Sequence, residues 1–548
     1  MRSTFQGLEI GKRALFTQQG ALHTVSHNIA NQNTPGYSRQ RVNFIQTEPF
    51  PTASLNRPDI PGQMGTGVKA GSIQRIRDSF YDFQYRGENT KFGYYASKSD
   101  ALSKMEDVLN EPSDSGLAKV LNLFWNSLED LSVHPENEGT RKVVLRRGEG
   151  VGETFKYLRN SLEKIQGDLS NEIDVSMKNV NSILAQIADL NRQIAEVEPH
   201  GYLPNDLYDK RDLLVDQLSG YFDIEVRKES NGGNSLDIAE GNYKIFIKGA
   251  DGKNIQVVGK DSYEAITVVK KGGNLGPVTD VKVGDRSIME GTKEDGVKMP
   301  SGKIQSLIES YGYEYKDGTD TKVTGLYPEM IDDLDKMAYS FVKMFNEVHS
   351  RGYGLDGKEG KDFFEYLGDD YKGAAGKIKV NADLKPSEIA ASTDVKKADP
   401  NDPNYDPSDL DKVKAGNGTN AINLANIKDI LIEGGSIEFE LEGFDDPDES
   451  KLSMSDLAIT DGTVMTFYEG LIGGLGVDAE KAKMLASNSA TLRLSVDYDR
   501  LSVSSVNIDE EFIDMIRFQS AYNAAARSIT VVDEMLDKII NGMGIVGR

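Results

Sequence analysis

The 548-residue sequence contains no cysteine, one tryptophan and five histidines. Without cysteine there is no disulfide frame and no thiolate metal site. The histidines fall in no nucleophile–base arrangement, and neither G-x-x-x-x-G-K-[ST] nor G-x-S-x-G occurs, so no catalytic residue is assigned. No stretch approaches the roughly 18 apolar residues of a membrane span. The opening MRSTFQGLEIGKRALF also lacks the apolar core of a secretory signal, because Lys12 and Arg13 fall where it should lie. Any export is therefore expected to proceed without a cleaved signal. Positive charge is scarce too: 63 Lys and Arg against 87 Asp and Glu leave a net −24. That excludes the concentrated basic face a nucleic acid requires.

Hydrophobic residues make up 38 %, enough to bury cores, and the length calls for several domains. The charge is unevenly placed. Residues 1–45 carry +4 and residues 502–548 carry −3, which leaves −25 for the middle. A self-repelling acidic middle suits solvent, whereas near-neutral ends suit packing against copies of themselves.

Leu8, Leu15, Leu22 and Ile29 recur every seventh residue, with Phe5 and Val25 at intermediate positions and Gln18 off the row. This spacing predicts a helix with one narrow apolar seam. Asn28, Asn31 and Asn33 weaken it. Thr34, Pro35 and Gly36 then predict a type II turn, followed by an extended strap from Tyr37 to Val42 that carries Arg39 and Arg41. At the other end Ile508, Met515, Tyr522, Ile529, Leu536 and Met543 repeat the seven-residue spacing. Phe512, Ala526 and Ile540 fall on a second row that Gln519 and Asp533 interrupt. The acidic NIDEE run (507–511) suits the start of a helix of some 35 residues. Two thin-seamed helices without local partners are expected to pair with each other, marginally when alone.

ANQNTPGYSRQ (30–40) and SVNIDEEFIDMIRFQSAYNAAARSITVVDEMLDKIIN (505–541), at the two ends of one chain, resemble the termini of bacterial flagellar axial proteins. GTGVKAGSIQRIRDSFYDFQYR (65–86), followed by long helices, is similar to the hook–filament junction members of that family. The resemblance implies a non-enzymatic structural subunit with no cofactor, which polymerises with itself as a ring or helical layer. Its implied partners are the hook protein, a second hook–filament junction protein, and a cytoplasmic export chaperone that holds the C-terminal region. It further implies an extracellular place on the flagellum, reached through the flagellar type III apparatus, with no nucleic-acid or membrane partner. A hook or rod component, or an extracellular calcium-dependent adhesin or enzyme using the acidic middle, stays open as an alternative.

The middle supports a multidomain α+β architecture. Helical spacing runs from Phe92 to Leu109, from Leu117 to Leu131 with Trp125 in the core, and from Phe155 to Val197. Met330 to Val348 and residues 463–500 supply later helices, so the helical domain is discontinuous. The expected units are residues 1–48 with 503–548, residues 49–225 with 301–502, and an inserted β-domain at 226–300. Within the second unit, 360–455 is loop- and β-rich, and the sequence leaves open whether it stands apart. His23 and His27 have a metal-compatible spacing, but Thr24 stands where a zinc protease needs Glu, so no metal is assigned. DPNDPNYDPSDLD (399–411) resembles a calcium loop only until Pro407 replaces its Gly and Val413 its closing Glu. GTGVKA (65–70) precedes a strand-like run and reads as a turn, and GLGVD (474–478) reads as a break between helices.

Overall fold

The computed structural model describes residues 5–51, 62–109, 116–249, 251–272, 276–292, 296–318, 320–396, 412–413, 416–444 and 450–542. Helix α1 (Gln6–Asn31) stops at the turn its sequence requires. Tyr37 N–H donates to Thr34 O at 3.1 Å, and Gly36 takes φ +79°, the left-handed third position of a type II turn. The chain then runs through β1 (Gln40–Gln46), which pairs antiparallel with β2 (Val68–Arg75) to form a ribbon laid on α1. Thr17 Oγ1 donates to Val68 O at 3.2 Å across that contact. The terminal unit therefore takes in residues as far as Arg75, beyond the boundary at 48 that the sequence suggests.

Three helices follow. Helix α2 (Ser79–Leu109) starts where Asp78 Oδ1 accepts from Phe80 N–H at 2.9 Å, and α3 (Leu117–Val133) follows it. Helix α4 (Glu138–Val197) runs 60 residues, about 90 Å at 1.5 Å per residue. Its apolar pattern is legible only from Phe155. The earlier part is built around Gly148 and Gly152, where an added Cβ would lie 2.7 Å from the Phe363 ring and 2.8 Å from Ile378 O. Those glycines are points of close approach within a helix.

After α5 (Asn205–Ser219) the chain enters the β-rich part. Strands β3 (Ile224–Glu229), β4 (Asn242–Lys248) and β5 (Asn254–Val258) form an antiparallel sheet. A second sheet holds β6 (Ile266–Lys270), β7 (Val278–Val283), β8 (Arg286–Ser287), β9 (Glu290–Thr292) and β10 (Gly296–Lys298). Helix α6 (Lys303–Tyr311) intervenes, and the hairpin β11 (Tyr313–Asp317)–β12 (Asp320–Thr324) returns to the same sheet. The β-rich part thus extends past residue 300. Asparagines on α4 dock it: Asn181 exchanges both backbone hydrogen bonds with Ile266 at 2.8 Å, and buried Asn191 bonds Tyr243 N and O.

Helix α7 (Leu326–Arg351) closes the helical domain against α3 and α4. Phe124, Trp125, Phe341, Phe345, Phe363 and Phe364 interlock there, with ring centroids between 4.9 and 6.2 Å apart. Phe363 and Phe364 belong to the segment the sequence left open. Ile378, Ile389, Leu424 and Ile437 of that segment are buried in the same core, so it elaborates the helical domain. Its short helices are α8 (Ala374–Lys377) and α9 (Thr419–Asn426); residues 399–411 lie outside the described residues.

Helix α10 (Val464–Ser504) packs antiparallel along α2, and after Ser505–Asn507 helix α11 (Ile508–Gly542) returns to α1. GLGVD is no break, since α10 passes straight through it. Each helical glycine costs about 1 kcal/mol relative to alanine, and burial of Leu475, Ala479 and Ala482 offsets that cost. No helix among the described residues is long and apolar enough to cross a membrane.

One buried group gives this core a pH dependence. His349 is wholly buried, its Nδ1–H donating to Lys361 O at 2.5 Å while its Nε2 accepts from Ala390 N–H at 3.0 Å. Burial pushes its pKa down from 6.5 to about 4, against the pull of the Lys361 carbonyl and with help from nearby Arg141. The unfolded chain then binds the proton more readily, so stability present above pH 6.5 is lost as pH falls towards 4. Urea titrations followed by Trp125 fluorescence should show roughly 3 kcal/mol lost across that window. His349→Gln, though less stable overall, should lose correspondingly less between the same two pH values.

Candidate functional site: the terminal helix pair and its elbow

Helices α1 and α11 run antiparallel. An added Cβ on Gly7 would lie 3.1 Å from Val532, and one on Gly11 2.7 Å from Ile529 Cγ1, while Asn28 at the other end bonds Glu511. Leu22, Val25 and Ile29 close on Phe518 and Met515 with Ala21 and Val42. Leu8, Leu15, Leu22 and Ile29 are half-buried and Val25 is buried. Gln18 belongs to this face after all: residues 11, 15, 18, 22, 25 and 29 alternate steps of four and three, and Gln18 Oε1 is buried with no hydrogen-bond partner among the described residues. Phe5 remains exposed.

On α11, Met515, Tyr522 and Ile529 are half-buried and Leu536 is buried, whereas Ile508 is exposed. The companion row differs from the sequence reading. Phe512 and Ile540 face solvent and Ala526 is half-buried, while Glu511, Phe518 and Ala525 are buried three residues after each turn of the main row. The direction follows from chemistry, since the alternative row would bury Gln519 and Asp533. Met543 lies outside the described residues.

The strap turns this pair into an elbow. Asn28 Oδ1 accepts from Tyr37 O–H at 2.8 Å and Gln40 N–H at 3.0 Å; its Nδ2 donates to Gln40 O and to buried Glu511 Oε2 at 3.0 Å. Burial, then Asp206, Asp209 and Glu511, push the Tyr37 phenol well above its ordinary range, so it stays a donor. Asn31 and Thr34 close the preceding turn, Thr34 N–H reaching Asn31 O at 2.9 Å. Arg39 spans the joint between α10 and α11. Its backbone N–H donates to Ser504 O at 2.9 Å, and its guanidinium meets Glu510 and Glu511 at 2.6 Å each. Arg39 makes these ion pairs within its own chain. Arg41 is exposed, as is His23, while His27 Nδ1 lies 2.9 Å from Tyr37 Oη.

Behind the strap lies a charged cluster that no single motif announces. Arg75 reaches Asp209 at 2.8 Å, Asp212 at 2.6 Å and Glu240 at 2.7 Å. Arg77 grips Asp82 through two bonds of 2.7 and 2.9 Å; Arg86 meets Asp212 and Asp216 at 3.1 and 2.8 Å. Arg500 of α10 reaches Asp216 at 2.5 Å, and Ser38 N–H of the strap donates to Asp209 at 2.9 Å. Arg211 stacks 3.5 Å from the Tyr243 ring centroid. Burial alone would raise the Asp212 carboxyl; Arg77, Arg75, Arg86 and Arg211 overturn that and hold it well below the carboxylate range. The strap, β2, α2, α5, α10 and the loop before β4 therefore meet at one ionic joint. Its signal in the sequence was the pair QRIRDSFYDFQYR (74–86) and NDLYDKRDLLVDQ (205–217), basic and acidic runs over a hundred residues apart.

The two ends that this elbow brings together are those matched by two family models. The flagella basal body rod protein model covers residues 8–37, and the flagellar basal body rod FlgEFG protein C-terminal model covers residues 499–542. Between them, the helical domain of flagellar hook-associated protein FlgK matches residues 102–364. The fold and its terminal pair thus define a flagellar structural protein of the rod and hook-associated class. Flagellar hook-associated protein 1 of Bacillus subtilis is 43 % identical over 558 residues, covering 100 % of both chains. Its counterpart in Salmonella typhimurium is 26 % identical over 573 residues, covering 95 % of this chain and 97 % of that one. The chain belongs to the flagellar hook-associated protein 1 family. The solved flagellar hook junction protein FlgK from Burkholderia pseudomallei shares the fold, with a TM-score of 0.54 and 13 % identity over 77 % of this chain and 100 % of its own.

Removing the charge at the centre of the joint tests its weight. Asp212→Asn leaves the arginines short of one buried carboxylate, which costs about 3–5 kcal/mol. Denaturant unfolding should show that loss, together with new proteolytic cleavage near residues 76–78. Glu138→Gln, which removes an exposed pair with Lys142, should leave the midpoint unchanged.

Proposed function

We propose that this chain is a structural subunit of the bacterial flagellum that joins the hook to the flagellin filament and polymerises through its terminal helix pair. The observation that carries this reading is where the exposed apolar side chains lie. Phe5 at the cap of α1, Phe16 on it, and Phe512, Ile516, Met535 and Ile540 on α11 stand in solvent on a pair whose inner face is already occupied. Large exposed apolar patches mark interaction sites, and family membership supplies the context. The inner seam holds the pair together and the outer residues meet neighbouring copies. The turn and strap, from Asn31 through Thr34, Pro35, Gly36 and Tyr37 to Arg39 and Arg41, direct the chain outward from that layer.

On this reading the partners are further copies, the hook protein and a second hook–filament junction protein, with a cytoplasmic export chaperone at the C-terminal region. The chain works outside the cell, exported through the flagellar type III apparatus without a cleaved signal. It has no enzymatic activity, and assembly requires no cofactor or metal.

Ile516 is 64 % exposed in the single chain, so Ile516→Asp should leave the unfolding curve of the monomer unchanged. In the polymer it would bury an unpaired charge where apolar contact is needed, a penalty of several kcal/mol. Cells carrying it should show hooks without filaments and flagellin in the medium. Tyr157→Asp, equally exposed on α4, should assemble normally. A strain lacking the protein should keep its hooks; loss of the hook itself would assign the chain to a hook or rod component.

A further inference from the structure

Beside the ionic joint, an open cleft of about 610 Å³ lies between α2, α4, α5 and α10. Its floor is backbone: a Cβ added to Gly93 would lie 2.2 Å from Gly220 O, so α2 touches the end of α5 directly. Thr90 Oγ1 donates to Ser219 O at 2.7 Å and Asn89 Nδ2 to Asp216 O at 2.9 Å, which fixes one wall. Ile183, Leu213 and Tyr221 give the cleft apolar sides. Its charge is opposite to that of the chain. Lys303, Arg493 and Arg500 line it against one carboxylate, Asp216, in a protein of net charge −24. Asp216 is already engaged by Arg86 at 2.8 Å and Arg500 at 2.5 Å, and Lys303 pairs with Glu172 at 2.8 Å.

Arg493 is different. Among the described residues it meets no carboxylate; it donates to the neutral Asn89 Oδ1 at 3.2 Å, and its guanidinium carbon lies 4.0 Å from the Phe92 ring centroid. Stacking holds the planar fork in place, so little side-chain freedom is left to lose when its remaining N–H groups are used. We propose that this cleft binds a small organic carboxylate. Arg493 takes the carboxylate through two N–H groups, and Ile183, Leu213 and Tyr221 hold an apolar body beside it. Asn89 is the positioning residue for the guanidinium. An anion without a body, such as acetate, would leave the apolar sides in water, and an ammonium would meet charge of its own sign. The site is complete within one chain, so it does not depend on polymerisation.

The test uses the full-length monomer and 3-phenylpropionate as probe, with binding read by saturation-transfer NMR and calorimetry. The probe should bind, whereas 3-phenylpropanamide, which keeps the body and lacks the charge, and acetate, which keeps the charge and lacks the body, should each bind about tenfold more weakly or worse. Arg493→Gln keeps a side-chain amide for Asn89 and should lower affinity for the probe by about tenfold or more, with the unfolding curve unchanged. Arg493→Lys, a point charge without the fork, should fall between the two. No binding of 3-phenylpropionate at millimolar concentration overturns the proposal, as does equal binding of the amide or of acetate. Wild-type affinity in Arg493→Gln overturns it too. If Arg493→Gln shifts the unfolding midpoint, Gln186→Glu decides. Gln186 is exposed at the rim of the cleft, and a carboxylate there competes for Arg493. That variant should weaken the probe by a similar factor, and undiminished binding overturns the proposal.

Discussion

Asp212 has almost no contact with water, yet it keeps its negative charge because guanidinium groups close on it from several directions. The geometry of the molecule depends on that arrangement. Arg75 comes from the end of the ribbon, Arg77 from the connection after it, Arg86 from α2 and Arg211 from α5 itself, while Arg500 brings in α10 through the neighbouring Asp216. Buried ion pairs contribute little net stability, because desolvation cancels most of their attraction. Their effect here is selective. A charge without its partner is far costlier than the network is favourable, so the segments fit together in one arrangement. An apolar joint would tolerate slippage that this one does not.

The terminal pair uses the same logic more sparingly. Its seam is made of small and half-buried side chains, with Gly7 and Gly11 allowing close approach at one end. Glu511 is the acidic member of that seam, held by Asn28 and Arg39. A single buried polar group of this kind fixes register in coiled coils. It also ties the pair to the strap, so the alignment of α1 with α11 and the position of the elbow are set by one set of bonds.

Much of this was legible in the sequence because it is local. The seven-residue rows, the Thr34-Pro35-Gly36 turn and the start of α11 at an acidic run are decided by neighbours in the chain. Where the reading failed, the deciding partner was remote. The glycines before Phe155 belong to a helix because Phe363 and Ile378 need the space, and GLGVD stays helical because α10 lies along α2. The companion row of α11 was read on the wrong side of Met515. Phe512 and Ile540 drew attention by size, although Gln519 and Asp533 interrupt their row, whereas the one polar residue beside Phe518 and Ala525, Glu511, is paired by Asn28 and Arg39. The ionic joint escaped notice for a different reason. Its charges come from segments over a hundred residues apart, and each run alone looks like an ordinary solvated helix face.

The chain passes between the terminal unit and the rest of the molecule at two places, residues 76–78 after the ribbon and residues 505–507 between the two long helices. Two rods joined by one strand could swivel freely about it. Joined by two, they can bend about the line through both connections but cannot twist without stretching one of them. Arg39 narrows that freedom further, since it holds the last carbonyl of α10 with its backbone and the first turn of α11 with its side chain. With the Ser38–Asp209 and Arg75–Asp212 bonds added, the two units are held in one orientation, and moving them apart would strip buried charges of their partners.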